Sequence, residues 1–138
     1  MREARDLAKV FHIDERNLAA RREFVRLEEA DRVCLASLFD WAERIAPDLA
    51  REFYDWQFAF APTRRFFEEY AKRRGHPLGE VRARLEQAQA GYFAGIFRGA
   101  RDGFGVDYFR RRLEVGRLHD QIDLPCKWYI GSYAEYAR

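Results

Sequence analysis

Apolar residues recur at helical spacing along most of this chain. Ala30, Cys34, Leu38, Trp41 and Ile45 fall at steps of three and four, which predicts an amphipathic helix running to about Ala46. Pro47 ends it, because an interior proline removes a backbone donor, and Asp48 is placed to cap the next helix. That helix, DLAREFYDWQFAF, carries two adjacent stripes, Leu49–Phe53–Trp56–Phe60 and Ala50–Tyr54–Phe58. Tyr54 thus sits among apolar residues, where its hydroxyl needs a partner at the surface, on the backbone or on a ligand. Pro62 predicts another break, with Thr63 capping a short helix through Phe66, Phe67 and Tyr70, then a polar turn over residues 72–77. The longest pattern covers residues 80–98, with a stripe of Val81, Leu85, Ala88, Tyr92 and Ile96 and with Phe93 and Phe97 alongside. Ala88, Ala90 and Gly91 thin its middle, which admits either a second helix or a flat ligand. Gly99, Gly103 and Gly105 read as a loop without phosphate-binding spacing, and Asp107 as the cap of the following helix. Ahead of all these, residues 1–27 read as an N-terminal helical extension, capped at Asp14 and packed onto the rest through Phe24 and Leu27.

The stretch VGRLHDQIDLPCKWYIGSY, residues 115–133, has the most chemistry in it. Val115, Leu118 and Ile122 share one side of a helix with His119 among them. Pro125 stops that helix and can open the next, since the first helical position has no backbone donor to lose. Trp128, Tyr129 and Tyr133 follow. A histidine so placed can be a satisfied core residue, or it can bind a haem iron from one side.

Composition narrows the class. Of the 138 residues, 48% are hydrophobic and 16% aromatic, so one folded domain with a sizeable core is expected. Twelve Phe, seven Tyr and three Trp stand against four Pro, and β-branched residues are sparse, which favours an all-α protein. With 25 basic and 23 acidic residues the net charge is +2, which gives no reason to expect nucleic acid or an anionic membrane as partner. No apolar run is long enough to span a bilayer and the N-terminus has no signal-peptide core. Cys34 and Cys126 lack metal-ligand spacing and read as reduced thiols, so a cytoplasmic protein is expected. His76, in a turn before a proline, reads as exposed and without a chemical role, and the basic runs near residues 72 and 110 read as solvated faces.

The run Val115, Gly116, His119, Ile122, Leu124, Pro125, Trp128, Tyr129, Gly131 and Tyr133 resembles, without a gap, the proximal region of globin-coupled sensors, the protoglobin-like branch of the globins. Arg21, Phe24, Val25 and Leu27 resemble the approach to that family's first globin helix. Phe53–Tyr54 resembles its distal Phe–Tyr pair, and GYFAGIF, residues 91–97, the end of its long distal helix. The resemblance covers most of residues 20–138. It implies an all-α, globin-like fold of globin-coupled-sensor type, with an N-terminal helical extension over residues 1–27 and a globin sensor domain over residues 28–138. It implies haem b, with His119 as proximal iron ligand and metal residue. It also implies that the Tyr129 hydroxyl faces the other ring nitrogen of His119 and that Tyr54 hydrogen-bonds the gas. Val81, Leu85 and Ala88 are expected on the distal side, Val115 and Ile122 beneath the ring, and Trp128 beside Tyr129.

Two departures accompany the resemblance. The intervals from Tyr54 to the distal helix and from there to His119 are a few residues longer than the family pattern, which the loops at residues 72–77 and 99–105 can absorb. Family members also continue beyond this motif, so the C-terminal helices are expected to be incomplete at Arg138, and with them one wall of the pocket and the dimerising helices. The expected function is oxygen sensing, with carbon monoxide or nitric oxide as further ligands, in a homodimeric parent protein that carries a signalling output domain. The alternative is a haem-free globin-like interaction module, against which His119 argues. A small haem enzyme would need a distal acid–base pair; neither His12 nor His76 is placed to supply one, so no catalytic residue is expected.

Overall fold

A computed structural model describes residues 6–136. Eight helices follow one another: α1 (Leu7–Val10), α2 (Glu15–Val25), α3 (Glu29–Ser37), α4 (Phe39–Ala59), α5 (Ala61–Arg74), α6 (Leu78–Arg101), α7 (Val106–Gln121) and α8 (Cys126–Tyr136). The described residues contain no strand, so the protein is all-α as its composition predicts. They form two compact units.

The first unit joins the residues up to Phe39 with Ile96–Gln121. Asp14 caps α2 as expected, its carboxylate accepting from the Asn17 amide at 2.8 Å. The N-terminal helices are not held by Phe24, which is 87% exposed. Ala8, Ile13 and Leu18 are buried instead and meet Val106, Phe109 and Leu113 of α7. α3 presents no buried residue, but Arg32 reaches the Ala100 carbonyl at 2.7 Å. α6 closes in this unit, where the Phe104 amide donates to the Gly99 carbonyl at 2.7 Å. Gly99 thus lies in the last turns of α6 and not in a loop; only residues 102–105 are non-helical. Gly99 is buried against the rings of Tyr108 and Phe104, where a side chain would collide. Asp107 is not the cap: it lies inside the first turn of α7, two residues past the cap position at Gly105, and pairs with Arg110.

The second unit joins Asp40–Gly95 with the chain from Ile122 onward. The single helix expected up to Ala46 is two helices. The Ser37 hydroxyl donates to the Cys34 carbonyl at 2.7 Å, and the Leu38 amide turns back to Leu35 at 3.1 Å, which closes α3 there. α4 then runs straight through Pro47. Pro47 is exposed, while Ala42, Ala46, Ala50, Phe53, Tyr54 and Gln57 make an unbroken buried stripe across it. The lost backbone bond therefore lies on the solvent side, and packing on the other side outweighs it. The stripe also differs from the expected one, since Trp41, Trp56 and Phe60 face outward.

Pro62 stands in the first turn of α5, where a proline fits. Thr63 is not the cap; its hydroxyl donates to the Gln57 and Phe60 carbonyls and so ties α5 to the end of α4. α5 extends to Arg74, and Gly75, in the left-handed region at φ 67°, caps it. The expected turn at residues 72–77 thus shrinks to the residues from Gly75 to Pro77. α6 starts at Leu78 and extends three residues beyond the predicted end. At the other end of the chain, Asp123 takes the left-handed conformation at φ 56° after α7, and the Pro125 carbonyl accepts from the Trp128 amide at 2.9 Å to begin α8.

Candidate functional site

In the second unit, α4 brings Tyr54 into an aromatic cluster. Tyr54 is 7% exposed, and its ring meets Phe53, Phe58 and Phe67 edge-on, with centroids 5.1, 6.4 and 6.1 Å away. Phe58 and Phe67 stack at 5.4 Å. Leu85 of α6 packs against this cluster, as do Leu78 and Phe66. Val81, one turn before Leu85, is buried. Two of the three expected distal residues therefore lie on the inner side of α6, and one of them touches the cluster that holds Tyr54. Ala88 is exposed.

α8 joins the same cluster from its other end. Trp128 sets its ring edge-on to Phe66 at 5.8 Å. Between Trp128 and the next turn runs a polar strap: Gln57 Nε2 donates to the Ser132 hydroxyl at 2.8 Å, and Ser132 Oγ donates to the Trp128 carbonyl at 2.7 Å. Gln57 is 7% exposed, so an apolar environment strengthens this bond and penalises its loss. Tyr129 and Tyr133 lie one turn apart, with their hydroxyls 2.9 Å from each other. Ile122, ahead of α8, is half-buried.

α4 and α6 are also held from outside. Arg82 bonds Asp55 at 2.5 Å and Glu86 at 2.7 Å while lying 5.3 Å from the centre of the Phe58 ring. These two carboxylates raise the guanidinium pKa further above its ordinary value. The arginine thus closes the cluster on the side where α4 and α6 meet solvent. Gln57, Arg82 and Ser132 were not singled out from the sequence, and Phe67 was read only as part of its helix. Gln57 had a signal, since it falls three residues after Tyr54 at helical spacing. Arg82 had one too, since Glu86 lies four residues on, whereas the bonds from Ser132 to Gln57 and from Arg82 to Asp55 span 75 and 27 residues and had none.

In the first unit, α7 carries Val115 and His119, both half-buried, and Leu118, which is exposed. Leu118 therefore does not share the sheltered side of the helix with them. Burial lowers the His119 pKa below its ordinary value of 6.5, which favours the neutral imidazole. A neutral imidazole has a nitrogen lone pair available to a metal. Among the described residues no three His, Cys, Asp or Glu side chains group to hold a metal ion. A lone imidazole suits a metal that arrives with its other donors, as iron does in a macrocycle.

Residues 14–138 match the family model of the protoglobins. A relative, the heme-based aerotactic transducer HemAT of Halobacterium salinarum, is 28% identical over 130 residues, which cover 94% of this chain and 24% of that protein. The chain thus spans about a quarter of the length of that relative. No solved structure matches it significantly.

Proposed function

Because the chain belongs to the protoglobin family, we propose that it is a haem-binding, oxygen-sensing domain, with His119 as proximal iron ligand and Tyr54 as distal hydrogen-bond donor. What supports this reading is the half-buried imidazole of His119 in a chain that matches the protoglobins over residues 14–138. Haem b supplies a ferrous iron that binds a diatomic gas reversibly.

The remaining chemistry belongs to the protein. His119 offers one ring nitrogen to iron and directs the other, as N–H, to an acceptor that fixes its tautomer and raises its basicity. The family resemblance assigns that acceptor role to the Tyr129 hydroxyl. Val115 and Ile122 shield the His119 side, with Trp128 holding the start of α8 against Phe66. Val81 and Leu85 keep water from the distal side, and Ala88 leaves room there. Tyr54 is 7% exposed, so few water molecules compete there, and its hydroxyl would donate to a bound gas.

Sensing follows when the protein binds gas better in one helix arrangement than in another. Residues 1–27, of which the first five lie outside the described residues, are assigned as an N-terminal extension to a globin domain over residues 28–138. We place this domain in a cytoplasmic, homodimeric signalling protein whose output lies outside these residues, with no catalysis of its own. No helix of the described residues is long and apolar enough to cross a membrane. The test is the oxygen dissociation rate of Tyr54→Phe. Loss of one net hydrogen bond of about 0.5–1.5 kcal/mol predicts a rise of roughly 2- to 10-fold. An unchanged rate with haem still bound would remove Tyr54 from the distal role.

A further inference from the structure

Gln57 follows Tyr54 by three residues on α4, so the two side chains leave the helix on the same side, about one turn apart. Gln57 and Thr63 are buried polar residues, 7% and 5% exposed, and they meet. The Thr63 hydroxyl, on α5, donates to the Gln57 carbonyl, one of the last four of α4, which lack an amide donor within their own helix. The Gln57 side chain is tied elsewhere: its Nε2 donates to Ser132 Oγ of α8 at 2.8 Å. Ser132 has one proton and gives it to the Trp128 carbonyl at 2.7 Å. Toward Gln57 it is therefore an acceptor, and the carboxamide must present its nitrogen. Position 57 thus ties α4 to α5 through the backbone and to α8 through the side chain, all within one compact unit.

An apolar side chain would fill this place without fixing a register, because apolar contact has no direction. A buried carboxamide is costly unless bonded, so it favours the one register that brings Ser132 to it. Tyr54 has need of such a constraint. Its ring lies edge-on to Phe53, Phe58 and Phe67, and ring contacts tolerate small shifts. A hydrogen bond to a small ligand weakens steeply as the donor moves off line. We propose that Gln57 is a positioning residue for Tyr54: by tying the end of α4 to α5 and α8, it fixes where the Tyr54 hydroxyl stands and makes that position depend on α8. This rests on the reading above that Tyr54 is the distal donor.

The experiment uses the full chain loaded with haem, ferrous and under carbon monoxide, with its tyrosines replaced by 3-fluorotyrosine. Fluorine NMR reads the Tyr54 signal, identified by its absence in Tyr54→Phe. Gln57→Leu and Ser132→Ala shift or broaden that signal. Ser132→Thr, which keeps a hydroxyl able to bond the carbonyl four residues back, leaves it at the wild-type position. Oxygen dissociation from the unlabelled proteins is the second readout. Ser132→Ala raises the rate by less than the roughly 2- to 10-fold of Tyr54→Phe, and the double variant matches Tyr54→Phe alone. An unmoved Tyr54 signal in both Gln57→Leu and Ser132→Ala would overturn the positioning role and leave the underlying reading standing. So would a shift in Ser132→Thr equal to that in Ser132→Ala, or rate effects that multiply in the double variant. No change of rate in Tyr54→Phe, or no haem uptake by wild type, would overturn the underlying reading and this proposal with it.

Discussion

Burial holds the His119 imidazole below its ordinary pKa of 6.5. In the interval between the folded value and 6.5 the unfolded chain binds more protons than the folded one, so stability rises with pH there. The contribution of His119 is complete above about pH 6.5 and is lost as the pH falls through the folded value. Urea unfolding of the haem-free chain at steps from about pH 7.5 to 5 should show this slope, and His119→Gln should flatten it. A slope equal in the variant would assign the pH dependence to other groups. Gly99 makes a second prediction. A methyl group there meets the Tyr108 ring, with Phe104 Cδ1 at 3.0 Å. Gly99→Ala should therefore cost about 1–3 kcal/mol by overpacking, although alanine is the better helix former. A stabilised variant in urea would mean that the Tyr108 ring moves aside freely.

The helices show which local signals decide. Asp14 caps α2 through a 2.8 Å bond, and Asp14→Ala should cost about 1 kcal/mol in urea unfolding. Pro47 is exposed within α4. Pro47→Ala should gain about 1–3 kcal/mol by restoring a backbone bond and relieving a clash. No gain would mean that the buried stripe on either side needs the bend that the proline imposes. Helix class was legible in the sequence because the stripes repeat at three and four residues: α6 and α7 lie close to their predicted places. Helix ends were less so. A proline reads as a stop, yet the stripe from Ala42 to Gln57 overrides it, and burial of that stripe cannot be seen in the local pattern. The serine hydroxyl that ends α3 works through a carbonyl three residues back, which periodicity does not register.

Across the whole chain, the site was legible in part. Tyr54, Val81, Leu85 and Trp128 occupy sheltered positions, and Val115 and His119 are half-buried on one helix. Those positions follow from apolar spacing together with the family motif. Exposure of Phe24, Trp41 and Trp56 was not legible, because amphipathic spacing gives a face and not the partner that covers it. The Gln57–Ser132 and Arg82–Asp55 bonds were not legible either, since they join residues 75 and 27 positions apart. The central claim is that His119 binds haem iron, and the most direct measurement is the absorption spectrum of the purified chain with hemin and dithionite, before and after oxygen, beside His119→Ala. A Soret band that shifts on oxygenation and disappears in the variant is the expected result. A spectrum like that of free hemin, or equal binding by His119→Ala, would contradict it.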